Sequence, residues 1–106
     1  MSEIKTEEQT EEQVVTKTRK KLKPPVQYKV LLHNDDYTTM EFVVYVLQSV
    51  FRKSPSEATQ IMLRVHENGI GVCGVYSYEL AETKVAAVHD LAEQYEFPLK
   101  SSMEEA

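Results

Sequence analysis

The sequence predicts an α+β sandwich in the order β-α-α-β-α-β, with a small antiparallel sheet of about three strands and three helices on one face. Two observations lead to this fold class. Segments with a hydrophobic period of two residues are interspersed with segments of period 3.6, which separates strands from helices. The chain has 106 residues, 42% of them hydrophobic and 27% charged, which is enough for one compact domain.

Residues 1–23 form a polar extension that we expect to be disordered. The segment holds six Lys or Arg and five Glu residues, and its few apolar side chains cannot bury a face. Pro24 and Pro25 close it, because proline disfavours helix in the residue before it. The sequence therefore predicts a disordered extension over 1–23 and a folded domain over 24–106.

The first strand and the first helix follow directly. Apolar side chains at every second position indicate a half-buried strand that contains Val26, Tyr28, Val30 and Leu32. Thr38 and Glu41 have the spacing of a capping box, which predicts that a helix begins there. The apolar stripe predicted for this helix consists of Met40, Val43, Val44, Leu47 and Val50.

The second helix has the clearest start and stop signals in the chain. Ser54 supplies a capping hydroxyl, Pro55 suits the first helical position, and Glu57 stands three residues after the cap. Asn68-Gly69 ends the helix, since both residues tolerate the left-handed conformation. Its predicted stripe is Ala58, Ile61, Met62 and Val65, and the β-branched segment 70–76 then predicts a second strand.

The third helix and the last strand complete the predicted fold. Ser77 is expected to begin the helix and Pro98 to break it. Its predicted apolar face consists of Ala81, Val85, Val88, Ala92 and Tyr95. A short last strand is expected from Phe97 to Met103.

Composition excludes several classes of protein. No apolar run approaches the roughly 18 residues of a membrane span, and residues 1–5 lack the apolar core of a signal peptide. Cys73 is the only cysteine, so no intramolecular disulfide can form, which favours a cytoplasmic location. Residues 24–106 carry six Lys or Arg against twelve Asp or Glu, and such an acidic domain repels nucleic acid. The sequence therefore predicts neither a nucleic-acid nor a membrane partner.

Asn34, Asp35 and Asp36 stand at the corner between the first strand and the first helix. Two carboxylates and a carboxamide at such a corner suit a cationic ligand, such as an amine or a metal ion. The same residue types also form ordinary turns and caps, because their side chains hydrogen-bond to the nearby backbone. The spacing alone leaves both interpretations open.

An enzyme hypothesis and a metal hypothesis are both weak. Cys73, His66 and Asp35 supply a nucleophile, a base and an orienting group, but no nucleophile signature surrounds the cysteine. A small buried hydrophobe explains Cys73 better. No familiar ligand spacing occurs among the candidate metal ligands, which are His33, Asp35, Asp36, His66 and His89. We therefore expect no catalytic residue, no metal and no cofactor.

A binding module needs only a shaped pocket with a few convergent polar atoms. Methionine adapts to varied shapes, so an apolar pocket can be built from Met40, Met62, Val65 and Leu99. Each methionine taken alone is better explained as a core residue, and only the nearby Asn34–Asp36 corner favours a pocket. Met62 and His66 lie one helical turn apart. The imidazole is explained either by its place in the last turn of the helix, where the dipole favours a cation, or by a role at the rim of this hollow. The predicted polar rim consists of Asn34, Asp35 and His66.

The chain resembles the ClpS adaptor family. The resemblance runs without a gap from about residue 23 to the end, and its motifs are long and ordered. They are Lys23–Pro25, Tyr28–Val43, Ala58–His66 and Ala81–Val85.

The resemblance implies a monomeric protease adaptor of the bacterial N-end rule. Such adaptors bind proteins whose first residue is Leu, Phe, Tyr or Trp and hand them to a Clp ATPase of the ClpA type for degradation. By resemblance, the substrate's α-amino group is held by Asn34, Asp35 and His66. The side-chain pocket is lined or framed by Asp36, Thr38, Met40, Val43, Met62, Val65 and Leu99.

The resemblance also implies how the adaptor meets its partner. Glu82 and Lys84 fall in the stretch that docks on the N-terminal domain of the ATPase, and the extension acts during hand-over. The family's fold is similar to the C-terminal domain of the ribosomal stalk protein. A translation-factor docking module is therefore the alternative, but it does not explain the Asn34–Asp36 corner.

Overall fold

Three strands and three helices make up the described chain, which is residues 24–106 of a computed structural model. The predicted disordered extension, residues 1–23, lies outside the described residues. The elements are β1 Gln27–His33, α1 Met40–Ser49, α2 Pro55–Asn68, β2 Ile70–Ser77, α3 Tyr78–Gln94 and β3 Lys100–Glu105. The predicted β-α-α-β-α-β order and the α+β class are confirmed.

The sheet has the strand order β2-β1-β3, and both pairings are antiparallel. At the end of β1, His33 pairs with Ile70 on one side and with Lys100 on the other. The segment after His33 therefore leaves the sheet beside the junction of α2 and β2. This topology brings the Asn34–Asp36 corner next to the last turn of α2.

The core lies between the sheet and the helices. Its fully buried side chains include Val30, Leu32, Val46, Leu47, Val65, Cys73 and Val88. Leu31 departs from the predicted alternation, since only 6% of it is exposed although it points away from this core. Leu31 belongs to the central strand and pairs with Val72 on one side and with Ser102 on the other, so it has a neighbouring strand on each side.

The start of α1 differs from the prediction. The N-cap is Thr39, whose Oγ1 accepts a hydrogen bond from the backbone N–H of Phe42 at 3.1 Å. Thr38 does not cap the helix, because its hydroxyl donates to Asp35. Two adjacent threonines offer the same chemistry one residue apart, and only the path of the corner selects between them.

The buried face of α1 is also rotated from the predicted stripe. The helix buries Phe42, Val43, Val46 and Leu47, whereas 45% of Met40 is exposed. Phe42 packs against Phe97, with ring centroids 4.5 Å apart. This aromatic contact comes from a distant part of the chain, so the period of α1 alone cannot indicate it.

The signals for α2 are confirmed at both ends. Ser54 Oγ accepts from the N–H of Glu57 at 3.3 Å and bonds to the Glu57 carboxylate at 3.0 Å. Gly69 ends the helix in the left-handed conformation with φ of 84°. These interactions are local, which is why the sequence predicts them well.

Helix α3 begins at Tyr78 after the Ser77 cap, as predicted, but stops at Gln94 before it reaches Pro98. Two bonds close it in a Schellman motif, Phe97 N–H to Ala92 O at 2.8 Å and Glu96 N–H to Glu93 O at 3.1 Å. Tyr95 is exposed and lies outside the helix, so its place in the predicted stripe is wrong. The last strand starts at Lys100, later than predicted.

Glu96→Gly should raise the free energy of unfolding by about 0.5–1 kcal/mol. Glu96 has φ of 60°, where a side chain costs energy and glycine does not. Urea denaturation of Glu96→Gly against Glu96→Ala checks this, because both variants remove the carboxylate and only alanine keeps a Cβ. Equal unfolding midpoints for the two variants would contradict the backbone argument.

Candidate functional site

One cavity of about 280 Å³ opens where the corner after β1 meets the start of α1 and one side of α2. Its lining residues are Asn34, Asp35, Asp36, Thr38, Thr39, Met40, Val43, Met62, Val65 and His66. The structure thus brings together all the residues predicted for the polar rim. It also adds every residue predicted for the side-chain pocket except Leu99.

Backbone contacts hold the two sides of the cavity together. The N–H of Asn34 donates to the carbonyl oxygen of Gly69 at 2.8 Å. Gly69 ends α2, and His66 stands in the last turn of that helix. The left-handed turn at Gly69 therefore joins the Asn34–Asp36 corner to the imidazole of His66 across the mouth of the cavity.

The corner is itself a hydrogen-bonded turn. The N–H of Thr38 donates to the carbonyl oxygen of Asp35 at 3.2 Å, and the Thr38 hydroxyl donates to Asp35 Oδ2 at 2.8 Å. Asp35 and Thr38 are half-buried, whereas Asn34 and Asp36 are exposed. Asp35 is therefore the carboxylate of the corner that the fold holds in place.

The cavity has a polar rim and an apolar floor. Two carboxylates, a carboxamide and an imidazole stand at the corner and at the end of α2. The apolar side chains of the lining, which we call the floor, are those of Met40, Val43, Met62 and Val65. An acidic rim beside an apolar hollow suits a ligand that carries a positive charge next to a hydrophobic group.

Two residues differ from the predicted lining. Leu99 is 3% exposed and belongs to the hydrophobic core, and it is not among the lining residues. Thr39 lines the cavity and was not predicted to do so. The adjacent pair Thr38-Thr39 was the available signal, because one of them had to cap α1 and both then stand at the corner.

The residues predicted for docking lie away from the cavity, on α3. Glu82 is exposed, and its carboxylate beside the Tyr78 hydroxyl raises the pKa of Tyr78. The Lys84 ammonium donates to the carbonyl oxygen of Val50 at 2.7 Å and lies 5.8 Å from the centroid of the Tyr76 ring. Lys84 therefore ties α3 to the end of α1, while Glu82 faces solvent.

The alternative chemistries gain nothing from the geometry. Cys73 is 1% exposed, and burial raises its pKa to about 12, so the thiol stays protonated at neutral pH. Within residues 24–106, no group of three or more His, Cys, Asp or Glu side chains is placed to hold a metal ion. His89 instead accepts a hydrogen bond from the N–H of Ser101 at 3.0 Å. In the same residues, no helix is long and apolar enough to cross a membrane.

The chain is similar to proteins of one family along most of its length. A family model described as "ATP-dependent Clp protease adaptor protein ClpS" matches residues 23–102. Relatives named "ATP-dependent Clp protease adapter protein ClpS" include those of Phenylobacterium zucineum, 59% identical, and Desulfatibacillum aliphaticivorans, 62% identical. Both alignments span 91 residues, which is 86% of this chain and 84% and 88% of the relatives.

A solved structure is similar in fold as well as in sequence. It is Agrobacterium tumefaciens ClpS2 bound to L-phenylalaninamide, with 41% identity and a TM-score of 0.76. The similarity covers 78% of this chain and 100% of that chain. The resemblance found in the sequence is thus confirmed, and this chain belongs to the ClpS family, whose members are non-catalytic adaptors of the ATP-dependent Clp protease.

Proposed function

We propose that this adaptor binds proteins whose N-terminal residue is Leu, Phe, Tyr or Trp and delivers them to a Clp ATPase of the ClpA type. The proposal rests on one observation, which is that a single cavity has both an acidic rim and an apolar floor. A protein's first residue is the one place in a chain where a cationic amine and a side chain share the same Cα. Internal residues offer the side chain without the charge.

The rim supplies the amine site of this proposal. A free α-amino group has a pKa of about 7.7–8.0, so it is mostly cationic at pH 7. In the proposal, its N–H groups donate hydrogen bonds to Asn34, Asp35 and His66. Hydrogen bonds from an ammonium group to a carboxylate are among the stronger ones in proteins. The Gly69–Asn34 backbone bond supports this grouping, because it keeps the three side chains around one opening.

The floor supplies the side-chain site. Burial of a Leu- or Phe-sized side chain contributes roughly 1.5–3 kcal/mol. In the proposal, the apolar contact is formed by Met40, Val43, Met62 and Val65, and it is framed by Asp36 and Thr38. The ligand of the solved relative, L-phenylalaninamide, combines a free α-amino group with a benzyl side chain. A ligand of that kind matches both halves of the cavity.

A peptide series that varies only the first residue tests the proposal. Fluorescence anisotropy should show binding of peptides that begin with Leu, Phe, Tyr or Trp, and weak or no binding of those that begin with Ala, Ser or Glu. A matched control carries Leu at the second position behind Ala, which keeps the composition and removes the amine–side chain pairing. Equal affinity across the series would rule out the assignment.

Delivery is the second half of the proposal. Glu82 and Lys84 would dock on the N-terminal domain of the ATPase, with Glu82 as the exposed contact and Lys84 shaping the surface through its bond to Val50. Residues 1–23 would act during hand-over, separately from the folded domain over 24–106.

Deletion of residues 1–22 should leave peptide binding intact and slow degradation of a full substrate; normal degradation would contradict this role.

A further inference from the structure

We infer that Thr38 is a positioning residue for amine recognition, because its hydroxyl holds the Asp35 carboxylate in the orientation that meets the ligand's ammonium group. The inference rests on the proposed function and assigns Thr38 a role distinct from contact with the bound side chain. It concerns one hydrogen bond, from Thr38 Oγ1 to Asp35 Oδ2 at 2.8 Å.

The direction of this bond follows from its chemistry. An ionised carboxylate only accepts hydrogen bonds, so the Thr38 hydroxyl is the donor. The backbone bond from Thr38 N–H to Asp35 O, at 3.2 Å, closes the same turn. The carboxylate is thus held at one oxygen by a residue three positions away, and its remaining acceptor capacity stays available to a ligand.

The helix does not depend on this hydroxyl. Thr39 caps α1 through its own Oγ1, which accepts from the N–H of Phe42. The two adjacent threonines therefore divide two tasks, with Thr39 serving the helix and Thr38 serving the carboxylate. Removal of the Thr38 hydroxyl should change the carboxylate without removing the N-cap.

The physical gain is preorganisation. An aspartate side chain at an open corner has several rotamers, and a ligand must select one of them at an entropic cost. A neighbouring donor that already fixes the rotamer lowers that cost and keeps the charge aimed at the cavity. Asp35 is half-buried although its neighbours Asn34 and Asp36 are exposed, and Thr38 is half-buried as well, which agrees with a fixed carboxylate.

A double-mutant cycle tests the inference. Thr38→Val removes the hydroxyl and keeps the shape, and it should weaken binding of a Leu-first peptide roughly threefold to tenfold. Thr38→Ser restores the hydroxyl and should bind within about twofold of the wild type. In an Asp35→Ala background, Thr38→Val should have no further effect, which amide chemical-shift titrations can measure even for weak complexes. Thermal unfolding of each variant confirms that it is folded.

The possible outcomes distinguish a failure of the role inferred for Thr38 from a failure of the proposed function. Wild-type affinity of Thr38→Val, with selectivity for the first residue intact, would overturn the inference alone. So would an equal loss in the presence and absence of the Asp35 carboxylate, since Thr38 would then act on the ligand or on the fold directly. A wild-type protein that binds Leu-first and Ala-first peptides equally would overturn the proposed function, and the inference with it.

Discussion

Acetylation of the amino terminus should abolish binding of a Leu-first peptide to this protein. The acetyl group removes the positive charge and two N–H donors from the ligand, while the apolar side chain is unchanged. Asp35 and Asn34 are then covered by the ligand without a partner, and each stranded polar group costs roughly 1–3 kcal/mol, or more if it is charged. The loss of two such contacts totals roughly 2–6 kcal/mol, which offsets or exceeds the roughly 1.5–3 kcal/mol gained from one buried side chain.

Competition anisotropy with matched free and acetylated peptides measures this effect. Asp35→Ala should strongly weaken binding of the free peptide, but less than acetylation does, because Asn34 and His66 still accept hydrogen bonds from the ammonium group. Asp90→Ala is the control, because Asp90 is an exposed carboxylate on α3 that does not line the cavity. Acetylated peptide that binds within about twofold of the free one, a difference below 0.5 kcal/mol, would refute amine recognition.

Gly71→Ala should both destabilise the fold and weaken peptide binding. A Cβ at position 71 would stand 2.7 Å from Val65 Cγ2 and 3.5 Å from the Val65 backbone nitrogen. Val65 is 2% exposed and lines the cavity, and its branched side chain has little rotamer freedom in a helix. Relief of the clash must therefore move α2 away from β2, and overpacking of this kind costs about 1–3 kcal/mol.

Urea denaturation and peptide titration of the same variant measure the two effects together. Val65→Ala offers an internal control, since it removes the clashing methyl groups at the cost of a cavity. Gly71→Ala should therefore be less harmful in the Val65→Ala background than in the wild type. A Gly71→Ala protein with unchanged stability would contradict the close approach of α2 to the sheet. The same loss in both backgrounds would contradict the contact with Val65.

Much of this fold follows from short-range signals in the sequence. Ser54 with Pro55, Ser77, and Asn68 with Gly69 mark helix ends in the structure where they mark them in the sequence. Each signal acts through hydrogen bonds that span only a few residues, so the same helix end forms whatever the surrounding fold. Most residues of the cavity could be predicted from the sequence for a related reason. They come from two short segments, the corner 34–40 and one side of α2.

Long-range packing decides the features that the sequence leaves open. Phe42 is buried against Phe97, Leu31 is buried with a neighbouring strand on each side, and Leu99 belongs to the core. The hydrophobic period of a single segment does not predict these contacts, because each contact partner belongs to an element that is distant in the sequence. The bond from Lys84 to Val50 is of the same kind, since it joins residues 34 positions apart.

The Asn34–Asp36 corner depends both on short-range signals in the sequence and on long-range packing. Its residue types, a carboxamide, two carboxylates and two hydroxyls, are set by the sequence and suit either a site for a cation or an ordinary turn. Which threonine caps α1 and which holds Asp35 depends on the path of the chain between β1 and α1. That path is anchored by the Asn34–Gly69 bond, between residues that only the folded sheet and helix bring together. The chemistry of the site is therefore local, and its geometry is tertiary.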